Sequence, residues 1–208
     1  PDAAPGVVTL FDRNGLRTYE AVKRVRDVGP LAYGVDGRFW SYRSGAWRPA
    51  QREVDARICR VLGERYRPSL GSAVRDVLRA ELPELTVAPV HPMNMGNGML
   101  RWNARTGPEL IPHHPEFWST VQLGVSWDPD ATCPAFERFV DESVPPDDRR
   151  RLWQVIGYLM MSGNPLQRAF LLHGSGGNGK GVFLAVLRAL LGRDNVSSLP
   201  LHDLAGDR

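Results

Sequence analysis

The sequence predicts a mixed α/β protein: a mainly helical N-terminal accessory region with small antiparallel β elements, then a strand, a glycine loop and a helix that open a parallel-sheet core. Three observations predict this. Gly174-Ser175-Gly176-Gly177-Asn178-Gly179-Lys180-Gly181 has the spacing of a phosphate-binding loop. Apolar stripes at helical spacing recur along most of the chain. Asp36-Gly37 and Ser44-Gly45 are two-residue turn signals inside a stretch that otherwise reads as strands.

Residues 1–11 read as a tail, and a start at Pro1 without a Met or a signal-peptide pattern is expected of a piece of a longer protein. Thr18 is placed to cap a first helix with Tyr19, Val22 and Val25 inward, ended by Gly29-Pro30. Leu31 to Trp47 reads as an antiparallel meander, where Phe39, Trp40, Tyr42 and Trp47 interleave with Arg38, Arg43 and Arg48. Such a patch fits either the core of a small sheet or a surface that stacks nucleobases. Two helices follow, striped by Val54, Ile58, Val61 and Leu62, and by Val74, Val77, Leu78 and Leu82, with Pro83 closing the second. Arg52, Arg57, Arg60, Arg65, Arg67, Arg75 and Arg79 fall on their outer faces, fitting contact with nucleic-acid phosphates or a solvated face.

From Pro83 to Pro134 the texture turns to prolines, glycines and short strands. Gly98–Trp102 is one strand and Glu109–Pro112 a short partner. Val121, Leu123, Val125 and Trp127 alternate with Thr120, Gln122, Gly124 and Ser126, the clearest period-two run. His113-His114 would point to opposite faces of a strand, which favours a structural or surface role over a metal site. Pro134 opens a helix with Phe136, Phe139 and Val140 on one side. After Pro145-Pro146, Asp147 or Asp148 can cap a helix striped by Leu152, Val155, Ile156, Leu159 and Met160 and stopped by Gly163-Asn164-Pro165. Arg149-Arg150-Arg151 sits in its first turn, against the dipole, as a solvated cluster or a contact for a subunit or DNA. Ala169–His173 reads as a buried strand, Phe183, Val186, Leu187, Leu190 and Leu191 as the stripe of the helix after the loop, and Val196–Leu199 as a possible next strand. The organisation is thus a tail, 1–11; an accessory domain, 12–133; a helical pair, 134–163; and the start of a phosphate-loop domain, 164–208.

The chemistry concentrates in the loop. A phosphate chain needs a ring of backbone N–H donors, and glycines let the backbone curl without a Cβ in the way. The helix opening at Gly179 adds free N–H groups and the positive end of its dipole. Lys180 supplies a point charge for the β- and γ-phosphates. The chain holds 24 Arg and only two Lys, Lys23 and Lys180, so an Arg-rich composition keeps a Lys where loop chemistry requires it. Gly174, Ser175, Gly176, Gly177, Asn178, Gly179, Lys180, Gly181 and Val182 are the candidate nucleotide-binding residues, with Lys180 the catalytic one. At position 181 a Ser or Thr hydroxyl would normally hold Mg²⁺; Gly181 cannot, so no metal ligand is assigned.

The net charge of +3 is unevenly spread. Residues 12–79 carry 15 basic and 8 acidic side chains, 80–148 carry 3 and 11, and 149–208 carry 8 and 3. That alternation fits a polyanion-facing surface beside an acidic one, or faces that differ only in solvation. No apolar run approaches the ~18 residues of a membrane span. Cys59 and Cys133 are too few for a disulfide framework and lack metal spacing, which fits a reducing cytoplasm.

Together these residues resemble the C-terminal part of phage and plasmid primase–helicases, the superfamily-3 group related to poxvirus primase–helicases. The matching pieces are Asn97-Gly98-Met99-Leu100, Trp127-Asp128-Pro129-Asp130-Ala131-Thr132-Cys133-Pro134, Phe136 and Phe139. Leu152, Gln154, Gly157-Tyr158, Gly163, Phe170–Gly174 and Gly177–Lys180 continue it. It runs from roughly residue 20 to the end, and the first 80 residues match in texture only. The resemblance implies a helical accessory domain ahead of an AAA+-like ATPase that assembles as a homo-oligomeric, hexameric ring and translocates on single-stranded or forked DNA. ATP would be bound by Lys180 and the loop backbone, with Mg²⁺ as cofactor. The family's acidic strand, polar sensor and subunit-bridging arginine are expected beyond residue 208. The 208 residues by themselves are therefore expected to bind ATP weakly and to hydrolyse essentially none. The alternative is a non-catalytic module, with residues 12–163 an oligomerisation or single-stranded-DNA collar. A kinase or GTPase would place the loop near its domain's beginning, whereas ~165 residues precede it here.

Overall fold

The computed structural model describes residues 9–86, 92–200 and 203. The first eight residues of the expected tail, a short piece of the Pro83–Pro134 region and most of the last eight residues lie outside the described residues. The chain divides into two compact units, Pro1–Val87 and Ala88–Arg208. The division falls inside the stretch assigned from sequence to a single accessory domain, 12–133. The architecture is mixed α/β, with six α-helices and several small sheets among the described residues.

In the first unit a minimal hairpin, β1 (Phe11–Asp12) with β2 (Gly15–Leu16), leads into α1 (Thr18–Arg26). Thr18 is the first helical residue and does not cap: Arg17 holds the cap position, and its side chain makes no cap hydrogen bond. Ala21, Val22 and Val25 face inward, but Tyr19 is 70% exposed. The meander follows as β3 (Leu31–Gly34), β4 (Phe39–Arg43) and β5 (Ala46–Pro49). Arg43 pairs with Ala46 across Ser44 and Gly45, whose φ of 51° and 84° are those of a tight hairpin turn matched to strand twist. The Asp36 carboxylate accepts from the Arg38 amide (3.1 Å) and the Trp40 indole (3.3 Å), fixing the other turn.

Helices α2 (Gln51–Leu62) and α3 (Pro68–Glu81) pack with α1, and β6 (Glu84–Leu85) returns parallel to β3, giving the sheet order β5-β4-β3-β6. The core joins Val22 and Val25, Phe39, Val54 and Ile58, and Val74 and Leu78. The aromatic patch belongs to this architecture. Phe39 and Trp47 are buried, and Tyr33–Phe39 and Tyr42–Trp47 meet edge-to-face at 5.0 and 5.6 Å.

Glu53 is the polar hub of this unit. It accepts from Ser41 (2.8 Å), Arg43 (3.0 Å) and the buried Arg57 (2.5 Å). Burial pushes its carboxyl up, but hydrogen bonds from Ser41 and Arg57 and the charges of Arg57 and Arg43 outweigh it, leaving the pKa below the ordinary value. A depressed carboxylate pKa contributes stability above the unfolded value, and that contribution is lost as pH falls through the folded one. The thermal midpoint of this unit is therefore expected to fall on acidification below the ordinary glutamate range. Glu53→Gln should flatten that fall, which thermal melts between pH 6 and pH 3 would check; equal slopes would contradict it.

In the second unit β7 (Met93–Met95), β8 (Gly98–Asn103) and β9 (Gly107–Ile111) form an antiparallel meander. The expected partner strand therefore begins at Gly107, two residues before Glu109, and ends before Pro112. The period-two run at 120–127 forms no strand, although Leu123 N donates to Asn94 O (2.8 Å) and Gly96 N to Val125 O (2.8 Å). Its alternation still sorts faces, with Leu123, Val125 and Trp127 on the cluster around Met95 and Leu100. Gly124, on the other face, is pinned to the helix after the loop.

Pro134 and Pro146 occupy first-turn positions of α4 (Pro134–Ser143) and α5 (Pro146–Leu159), where a missing N–H is harmless. Pro145, not Asp147 or Asp148, holds the α5 cap position; both aspartates lie in the first turn, favourable to the dipole. Phe136, Val140 and Ile156 join Phe183 and Leu187 of α6 (Lys180–Leu191) in one cluster. Val196–Leu199 carries no strand. Among the described residues no helix is long and apolar enough to cross a membrane.

Candidate functional site

The site is built at the head of α6. Gly179, at φ 82°, holds its N-cap position, and the helix begins at Lys180. Gly176 and Gly177, at φ 105° and 62°, turn the loop through backbone conformations that a side chain strains. The Lys180 ammonium folds back over the loop, donating to Gly174 O at 3.1 Å and to Asn178 Oδ1 at 2.6 Å. Phe139 of α4 packs so closely on Gly179 that a Cβ there would lie 2.7 Å from the ring.

Beside the loop lies an open cleft of ≈ 460 Å³. Asn178, Gly179 and Lys180 form its polar end; Phe139, Leu152, Val155, Phe170, Leu172 and Phe183 its apolar walls. Asp148 and Arg151 also line it and pair at 2.7 Å. An apolar cleft with the start of α6 and the residue carrying one ammonium at its polar end can hold a group that is hydrophobic at one end and polyanionic at the other. Gly174 lies at the loop's entrance, and Ser175, Gly176 and Gly177 on its exposed arc. Gly181 and Val182 form the exposed first turn of α6. The loop thus suits a phosphate chain. It offers no side-chain oxygen for Mg²⁺ at Gly181, and the cleft's carboxylate, Asp148, is already paired with Arg151.

Ala169–His173, read from sequence as the buried strand feeding the loop, is neither strand nor buried. It joins none of the sheets, Leu171 is 90% exposed, and only Leu172 reaches the apolar cluster. A parallel strand exists through neighbours that pair with its backbone, and no described strand pairs with this segment. A parallel-sheet core around the loop is accordingly absent among the described residues.

The arginine face differs from its sequence reading. Arg57 is buried and donates to Val25 O and Gly29 O (both 3.3 Å), capping the end of α1. Arg75 pairs with Asp55 (2.8 Å), Arg79 with Asp76 (3.0 Å), and Arg65 lies over the Phe11 ring at 4.8 Å. Arg52 and Arg60 remain exposed. Arg149 is committed too, bonding Val144 O (3.1 Å) and Asp141 O (2.6 Å) at the end of α4. The histidines lie past the end of β9 and not in a strand: His113 bonds Asn94 Oδ1 (3.1 Å) and Met95 O (2.9 Å), while His114 accepts from the Glu116 amide (3.4 Å).

Two contacts that sequence reasoning did not supply are Phe139 on Gly179 and the Asp148–Arg151 wall. The Asn97 amide, by contrast, gives a physical role to a motif residue. It exchanges hydrogen bonds with the Trp127 backbone in both directions at 2.8 Å, so Asn97-Gly98 and the Trp127–Pro134 element clasp each other.

Residues 31–145 match the family model described as D5 N terminal like. That span starts well inside the part that resembled the family in texture only and stops before the glycine loop. No curated protein matches the chain.

Proposed function

The chain belongs to the D5 N-terminal-like family, found in D5-like primase–helicase replication proteins of phages and viruses, and from that premise we propose that it is the front portion of an ATP-dependent DNA helicase of the superfamily-3 type. The observation that supports this best is the loop at Gly174–Lys180, curled at the head of α6 with its ammonium turned inward beside an open cleft. Lys180 and the loop amides hold the β- and γ-phosphates of ATP, the helix terminus adds its positive end, and the apolar walls receive the base. Single-stranded or forked DNA and further copies of the chain, in a hexameric ring, are the partners. Mg²⁺ would enter bound to the phosphates, because Gly181 presents no hydroxyl to it.

Titration with a fluorescent ATP analogue tests this. Lys180→Ala removes one charged hydrogen-bond donor and is expected to weaken binding by about tenfold or more. Equal affinity of the two chains would overturn the nucleotide reading.

A second reading draws on the family match, which covers residues in front of the loop. In it the chain is a collar for oligomerisation or single-stranded DNA. Salt-dependent DNA binding that is lost on removing the exposed Arg52 and Arg60 charges, and is indifferent to Lys180, would favour it. Arg57 is unsuitable for that experiment, since its guanidinium is buried and bonded to Glu53, Val25 O and Gly29 O.

A further inference from the structure

We propose that Asn178 is a latch that holds Lys180 away from an incoming phosphate, so that nucleotide binding must first break a contact internal to the loop. This rests on the reading of Gly174–Lys180 as a triphosphate site.

The Lys180 ammonium has three N–H donors. One is directed to Gly174 O at 3.1 Å and another to Asn178 Oδ1 at 2.6 Å. The Asn178 amide lies against Gly174, where a Cβ would collide with it and come 3.0 Å from the ammonium. One side chain therefore touches the loop both at its entrance, Gly174, and at its exit, Lys180. Charge-assisted hydrogen bonds of this length are among the stronger polar contacts.

A phosphate oxygen needs the same ammonium. The loop thus has two arrangements, latched with Lys180 on Asn178 and open with Lys180 on phosphate, and apparent affinity is the intrinsic affinity scaled by the open fraction. A latch and a ligand make opposite forecasts. If the Asn178 amide bound phosphate, its removal would weaken nucleotide binding; if it restrains Lys180, its removal strengthens it.

The chain's lysine usage makes the test clean. Lys23 and Lys180 are its only two lysines, so acylation of each is read by mass spectrometry with Lys23 as internal reference. Asn178→Ala is expected to raise Lys180 labelling relative to Lys23 and to tighten binding of a fluorescent ATP analogue, each by about threefold or more. Asn178→Asp keeps an acceptor and should leave Lys180 at least as protected as in the natural chain. An unchanged labelling ratio in Asn178→Ala, or weaker triphosphate binding, would overturn the latch. Raised labelling with no triphosphate binding by either chain would uphold the latch and overturn the nucleotide reading.

Discussion

Arg57→Met is expected to destabilise the first unit by about 3 kcal/mol, the range for breaking a buried, hydrogen-bonded ion pair from one side. The side chain is only 7% exposed and serves three acceptors: the Glu53 carboxylate and the carbonyls of Val25 and Gly29. Methionine fills the apolar stem but leaves both carbonyls without their donor and Glu53 with only Ser41 and Arg43. In a unit of this size such a loss lowers the melting midpoint by roughly 10 °C or more. Adding Glu53→Gln removes the stranded charge and should recover part of the loss, making the pair non-additive. A midpoint within 2 °C of the natural chain, measured on the near-ultraviolet signal of the buried Trp47, would contradict the assignment.

Gly124→Ala is the second large effect, about 2–3 kcal/mol by overpacking. A Cβ at 124 would sit 2.8 Å from Ala189 O, 2.8 Å from Gly192 Cα and 2.9 Å from Gly192 N. All three are backbone atoms, so no rotamer change relieves the clash. The Gly124 N–H bond to Leu190 O (3.0 Å) would lengthen with it. Because Gly124 holds the end of α6 and Phe139 holds its beginning, the damage should reach the helix that carries Lys180. Hydrogen exchange in the last turns of α6 should quicken while α2 and α3 are untouched. Unchanged exchange in α6 would show that this seam carries no load.

The meander, the helices of the first unit and the helix after the loop were legible because each combines an apolar period with turn chemistry that admits few alternatives. Asp36-Gly37 and Ser44-Gly45 sit where the backbone turns, and the stripes of Val54 with Ile58 and of Val74 with Leu78 face the core. Arg57 was not legible: one helical turn after Glu53, it reads as one more surface arginine in a chain with 24. The carbonyls of Val25 in α1 and of Gly29 just past it, far away in sequence, make it a core residue. The caps of α1 and α5 failed because Thr18, Asp147 and Asp148 each have a reason to lie near a helix start without being the residue before it.

Strand placement failed for a different reason. Ala169–His173 and 120–127 have the composition or alternation of strands, but a strand is a relation between segments. The first has no described partner, and the second meets β7 and α6 at isolated hydrogen bonds without a ladder. Within the site, glycine spacing gave the curl and the lysine. Its neighbours, Phe139 from α4 and the Asp148–Arg151 pair from α5, come from packing that no local pattern encodes.

The most direct test is an ATP titration followed by amide NMR of the isotope-labelled chain. The amides of Gly174 to Gly181 should shift saturably and together, and the shifts should vanish in Lys180→Ala. Shifts confined to the arginine-bearing helices α2 and α3, or none in the loop at saturating ATP, would show that the loop receives no triphosphate.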